Sequence, residues 1–227
     1  FKPFFDGRFS ATALYILTHY QSPEKIANMN AKSYEALRKK SRGKFSMVKF
    51  AQLKTLAKNT VGRSDAFLLK QMEITIDIEN QLDAKIDEIE SQILECIRAL
   101  NPPILTIPGI GELTAAIILS EYGNINKFEN PAQLLSFAGL EPGYYQSGLA
   151  EHQGHMVKHG SSHLRYALMN ACLPLITYEP VFAEYYAKKR AEGKPHRVAL
   201  THVAKKLLRV IFTLQTKNIS YDPTLIR

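Results

Sequence analysis

Cysteine is nearly absent, no apolar run approaches membrane-spanning length, and no stretch shows convincing apolar–polar alternation of a half-buried strand. Each absence excludes something. The two cysteines, Cys96 and Cys172, lie far apart inside apolar helical patterns. A disulfide framework is therefore excluded, and both are expected as reduced core residues of an intracellular protein. Without a long apolar run or a signal peptide, no membrane partner is expected. The chain begins at Phe1 rather than Met, so it is expected to be a fragment of a longer protein. Acid is also missing locally. Between Ala36 and Ser64 there is no Asp or Glu beside nine Lys or Arg, and from His152 to Lys217 eleven basic residues face three Glu.

What is present fits a helical, polyanion-binding protein. The 227 residues are 45% apolar, enough for a real core, and the net charge of +8 favours nucleic acid as partner. The two basic blocks flank an acid-rich stretch, Asp65 to Glu129, which suggests two nucleic-acid-facing surfaces separated by a solvated helix. Ordinary basic faces of a soluble protein are the alternative.

Cap signals organise the chain. Ser10 caps a helix through Tyr20, Ser22-Pro23-Glu24 starts another, and Ser46 opens one to about Asn59, stopped near Gly62. A long helix is expected from about Ser64 to Leu100, with Ile78, Leu82, Ile86, Ile89, Ile93, Ile97 and Leu100 recurring every three or four residues. That pattern fits a coiled coil or a single amphipathic helix on a core. Asn101-Pro102-Pro103 breaks it. Asn130-Pro131 caps a further helix ending at Gly139, Leu140 to Gly160 reads mainly as loop, and two helices follow, about Ser162–Ile176 and Arg197–Thr216. The expected fold class is all-α with one long irregular loop, and such loops are usually functional or disordered. Three domains are expected: a basic helical segment over 1–63, the long helix over 64–101, and a helical domain over 102–227.

Two places carry candidate chemistry. Ile107-Pro108-Gly109-Ile110-Gly111 before a small-residue helix reads as a helix-hairpin-helix, whose glycines let backbone approach a partner and whose helix N-terminus suits a phosphate. A tight αα turn closed by glycines is the alternative. The second place is the loop, with Gln146-Ser147-Gly148, Lys158, then Ser161, Ser162 and Arg165 at a helix start. Ser161 or Ser162 as cap, with Arg165 one turn on, could hold a phosphate. His152, His155, His159 and His163 suggest a metal, but Gly154 and Gly160 interrupt the helix that would align them, and no Cys or Asp lies near, so no metal site is expected. Spacing alone does not rank Ser147 above Ser161 or Ser162.

The ordered series Ile-Pro-Gly-Ile-Gly (107–111), Phe-Ala-Gly-Leu-Glu-Pro (137–142), Gln-Ser-Gly (146–148), Lys158, Gly160-Ser161, Leu164-Arg165 and Lys-Lys-Arg-Ala-Glu-Gly-Lys (188–194) closely resembles the C-terminal transposase domain of the IS110-type insertion-sequence transposases, bridge-RNA-guided serine recombinases. The resemblance is dense over about 64–217. Residues 1–63 resemble the segment that follows that family's RuvC-like domain. It implies a DNA recombinase in which Ser147, beside Gly148, attacks a DNA phosphodiester to form a phosphoseryl link. Gly109, Ile110, Gly111, Gly148, Lys158, Ser161, Arg165 and Lys194 would then contact DNA, with Lys158 and Arg165 near enough in sequence to balance charge. It further implies DNA and a guide RNA as partners, dimers pairing into tetramers, and a bacterial cytoplasmic, nucleoid-associated location. No cofactor is expected in this fragment, a divalent metal (Mg) being held by carboxylates of a RuvC-like domain outside this chain. The competing expectation is a catalytically silent nucleic-acid-binding and oligomerisation module; a structural coiled-coil adaptor is a third.

Overall fold

Ten α-helices, three short 3₁₀ helices and one β-hairpin are found among the described residues. A computed structural model describes residues 10–61, 65–147, 150–156 and 159–226, with backbone alone over 142–156 and 225–226. The chain divides into two compact units, Phe1–Asp87 and Glu88–Arg227.

In the first unit, α1 (Ala11–His19), α2 (Pro23–Ala27), α3 (Ala31–Lys40) and α4 (Met47–Lys58) each begin at a side-chain cap. Ser10, Ser22, Asn30 and Ser46 accept hydrogen bonds from backbone amides that the first turn leaves unpaired. The helices enclose a small core of Ile16, Met29, Leu37, Phe45, Phe50 and Leu53. The helix α3 was not legible as a separate element; its signal is a reciprocal Asn30–Ser33 capping box.

The long helix α5 (Ala66–Leu100) gives its first part to one unit and its last to the other. Its apolar stripe is largely uncovered: Ile74, Ile78, Leu82, Ile86 and Ile89 are all more than half exposed. Cys96 is exposed as well, which corrects the expectation of a core residue there. Cys172 is buried, and that burial pushes its thiol up to about 12.

The second unit is built around α10 (His196–Lys217), whose Val203, Ala204, Leu207, Leu208 and Ile211 are buried. Against it pack α7 (Pro131–Phe137), α8 (Ser162–Tyr178) and α9 (Pro180–Ala191), while α6 (Glu112–Tyr122) packs on α8. One core spans Ile104, Ile118, Leu134, Leu140, Leu164, Leu175 and Phe182. The fold class is all-α, with one departure inside the expected loop. Pro142–Ser147 (β1) and Ala150–Met156 (β2) pair antiparallel, with an irregularity between Pro142 and Tyr144. Glycines at 143 and 154 read as loop punctuation, but a short two-stranded ribbon tolerates them. The segment between the two helices expected at about Ser162–Ile176 and Arg197–Thr216 is itself helical, as α9. Pro180 stands at its first turn and Glu179 accepts from the Val181 amide.

Candidate nucleic-acid interface and hairpin

The turn before α6 uses its glycines unequally. The first arm of the expected helix-hairpin-helix is a single 3₁₀ turn, Pro103–Thr106. Gly109 has φ +87°, and a Cβ on it would stand 2.9–3.0 Å from the backbone of Pro174 and Leu175 in α8. Its missing side chain lets the turn sit on α8, so the reading of Gly109 as an approach point for DNA gives way to internal packing. Ile110 is buried in the core, so its side chain is withheld from any partner. Gly111 is different: it caps α6 with ordinary φ, nothing lies within 4 Å of its Cβ position, and no side chain caps the helix. The first amides of α6 therefore stay available to an anion. Glu112, in that first turn, forms a forked pair with Arg98 at 2.7–3.0 Å, and that hydrogen bonding holds its carboxyl below the usual carboxylate range.

The start of α8 is closed. Gly160 has φ +114°, and a Cβ there would fall 2.2 Å from the Phe137 carbonyl oxygen. The next amide, of Ser161, donates to that same oxygen at 2.8 Å. The Ser161 hydroxyl accepts from the Leu164 amide at 3.0 Å and donates to Glu121 Oε2 at 2.6 Å. Its only proton is thus committed, and a phosphate arriving there would meet a carboxylate. Ser161 is a cap, and the expected phosphate contact is corrected on that ground. Ser162 and His163 are exposed on the first turn. Arg165 is half-buried and donates through Nη1 to the Ala138 carbonyl at 3.1 Å, tying α8 to the end of α7.

These contacts clamp the base of the hairpin. Leu140 is fully buried after α7, and Gly160–Ser161 are fixed at the start of α8. From there the register runs Pro142↔Met156, Tyr144↔Gln153, Tyr145↔His152, Gln146↔Glu151 and Ser147↔Ala150. Five strand steps at about 3.3 Å set Ser147 about 16 Å along β1 from Pro142. Arg165 is engaged at the base of the hairpin through the Ala138 carbonyl. Alternation places Tyr145, Ser147, Ala150 and His152 on one face, and Tyr144, Gln146, Glu151 and Gln153 on the other. Gly148 and Lys158 lie outside the described residues.

Lys194 is exposed in the turn between α9 and α10, where Arg190 donates to its carbonyl oxygen at 2.8 Å. It belongs to a group the sequence reading missed. His202 on α10 is held below its ordinary value of 6.5, first by burial and then by Lys205, Lys189 and Lys194. Lys205 is lowered by burial and by Arg209, with Glu141 at the hairpin base acting in the opposite sense. His202, Lys205 and Arg209 recur at i, i+3 and i+7, so one face of α10 carries a basic row toward that base. That spacing was the signal available in the sequence. Crowded cations held partly out of water favour an anionic ligand. Among the described residues no three His, Cys, Asp or Glu gather closely enough to hold a metal. No described helix is long and apolar enough to cross a membrane.

Residues 101–187, from the 3₁₀ turn through the hairpin into α9, match the family model described as Transposase IS116/IS110/IS902 family. An uncharacterized 43.6 kDa protein of insertion element IS110 from Streptomyces coelicolor is 32% identical over 59% of this chain and 34% of its own length. The pilin gene-inverting protein of Moraxella bovis is 30% identical over 64% of this chain and 46% of its own. An uncharacterized 42 kDa protein of insertion element IS900 from Mycobacterium paratuberculosis is 25% identical over 96% and 56%. The chain thus spans between about a third and just over half of these relatives. The basic row of α10 lies beyond the matched segment.

Proposed function

We propose that this chain, whose residues 101–187 match the family model described as Transposase IS116/IS110/IS902 family, is the serine-bearing part of a DNA transposase or recombinase. In this reading Ser147 Oγ attacks a DNA phosphorus. A serine–phosphate O–P bond forms, the P–O bond to the leaving nucleoside hydroxyl breaks, and the serine proton passes to a base while the leaving oxygen takes one up. Attack by the hydroxyl of the exchanged strand reverses the step and frees the serine. The observation that carries the reading is the register. Ser147 is the last paired residue of β1, at the end of a ribbon whose base is clamped between α7 and α8. In the register Tyr145 and His152 are paired two residues from Ser147 and Ala150, and in this reading they exchange a proton with the serine. DNA phosphates are met by Gly148, Lys158, Lys194, the α10 row and the open amides after Gly111, and the developing phosphorane charge is balanced by cations.

A guide RNA and self-association belong to the same proposal. The exposed stripe of α5 and the apolar groove of about 800 Å³ between Ile93, Ile97, Leu100 and Ile117 are faces an isolated helix leaves in water. Light scattering should show dimers or larger species; a strict monomer at high concentration contradicts the self-association.

The serine assignment is tested by Ser147→Ala in a complete recombinase carrying this chain. Strand cleavage should fall at least about a thousandfold with DNA binding retained, while Ser162→Ala cleaves normally. Normal cleavage by Ser147→Ala overturns the assignment and favours a silent binding module.

A further inference from the structure

We infer that the face made by α3, its following turn and α4 binds the phosphodiester backbone of nucleic acid, as a site in the first unit separate from the transposase segment. The proposal rests on charge that the fold does not use. Arg38, Lys39, Lys40, Arg42, Lys44 and Lys49 are all exposed, and none has an ion pair or side-chain hydrogen bond among the described residues. Lys54 shows what an employed cation looks like in the same unit: it donates to the Met29 carbonyl and sits over the Phe50 ring. Glu35 is the one carboxylate between residues 31 and 58.

The cations stand on a fixed frame. Ser41 Oγ donates to the Arg38 carbonyl and accepts from the Phe45 amide, both at 3.0 Å, and the Gly43 amide donates to the Arg38 carbonyl at 2.8 Å. Arg42 and Gly43 take consecutive left-handed conformations, φ +51° and +82°, which turn the chain sharply between the helices. Leu37 and Phe45 anchor both sides of this turn in the core. A shallow groove of about 390 Å³ is left, lined by Glu35, Arg38, Lys39, Arg42 and Gly43. Beside it the first turn of α4 exposes Met47 and Val48, apolar surface able to lie against sugars.

The dipole of α3 favours cations in its last turn, which accounts for Arg38, Lys39 and Lys40 in part. It does not account for Arg42, Lys44 and Lys49, which lie past that turn. Six like charges within twelve residues repel one another until a polyanion neutralises them. The backbone that carries the cations is already in place, so binding orders their side chains and not the turn itself. Backbone phosphate is common to DNA and RNA, and the test separates the two.

The site stands or falls independently of Ser147, because its readout is binding and not cleavage. The full chain is titrated with a duplex DNA and with a structured RNA hairpin across a range of salt, and compared with the variant Arg38→Gln, Lys39→Gln, Arg42→Asn, Lys44→Gln. Asn is chosen at 42 because it tolerates the left-handed turn. Each lost phosphate contact should reduce the salt slope by about 0.9 on duplex. The variant should therefore lose up to about 3.6 units of slope and at least about tenfold in low-salt affinity for one or both probes. The probe affected identifies the ligand. A second variant, Arg38→Lys with Arg42→Lys, keeps the charge and should keep the slope. Unchanged slope and affinity for both probes in a neutralised variant of native helicity overturns the proposal. So does equal loss in the charge-preserving variant. Should the fourfold variant lose helicity, Lys39→Gln with Lys49→Gln reads the same slope change at about half the size, and an unchanged slope there overturns it too.

Discussion

The two units treat their polar residues in opposite ways. In the first, the cations of α3 and its turn stand unpaired on a frame that would fold without them. In the second, residues that look like ligand contacts in the sequence are absorbed by the fold: Gly109 by packing, Ser161 by capping, Arg165 by the end of α7. The difference teaches that glycines and capping serines at a helix start report first on chain geometry. Cations without partners are the better signal of an absent ligand.

Substitutions that separate stability from binding sharpen the contrast. The largest loss is expected at Gly160→Ala, where a Cβ 2.2 Å from the Phe137 oxygen and φ of +114° combine. Denaturant unfolding should show about 3 kcal/mol or more of destabilisation. Gly109→Ala should lose about 2 kcal/mol through the Pro174 backbone, whereas Gly111→Ala, in open space, should lose under about 1 kcal/mol. Equal losses at 109 and 111 would break the distinction between a packing glycine and an open helix end. Ser161→Ala removes both the cap and the donor to Glu121, for about 1–2 kcal/mol, with DNA affinity unchanged.

A pH series adds a smaller effect. His202 is held below 6.5, so the folded chain binds fewer protons there than the unfolded chain. Stability should therefore fall as pH drops through about 6.5, and His202→Gln should remove that part of the slope. On the proposal that the α10 row meets DNA, binding favours the charged imidazole, so affinity should rise as pH falls through the same window. The smallest stability effect is expected in the first unit. Neutralising Arg38, Lys39, Arg42 and Lys44 should change it by no more than about 0.5 kcal/mol, since none carries a contact of the fold. A large loss there would erase the contrast between the units.

Caps and breakers made much of the helical frame legible. Ser10, Ser22, Ser46, Asn130 and Ser161 begin helices where their side chains meet free amides. The hairpin was illegible because Tyr, Gln, Ser, His and Glu alternate there without an apolar face, so period-two patterning carries no signal. The internal uses of Gly109, Ser161 and Arg165 depend on partners 27 to 66 residues away, Pro174, Glu121, Ala138 and Leu175 among them, which no local motif encodes. The α10 row was readable from spacing, yet its relation to Glu141 at the hairpin base required the fold.

The central claim is that the serine at the end of β1, not one at the start of α8, forms the bond to DNA. The direct measurement traps the covalent protein–DNA adduct in a complete recombinase, digests it, and locates the modified residue by peptide mass. The account predicts a phosphoserine adduct at Ser147, in the peptide that joins β1 to β2. An adduct at Ser161 or Ser162, whose turn is held by Glu121 and Phe137, would contradict it.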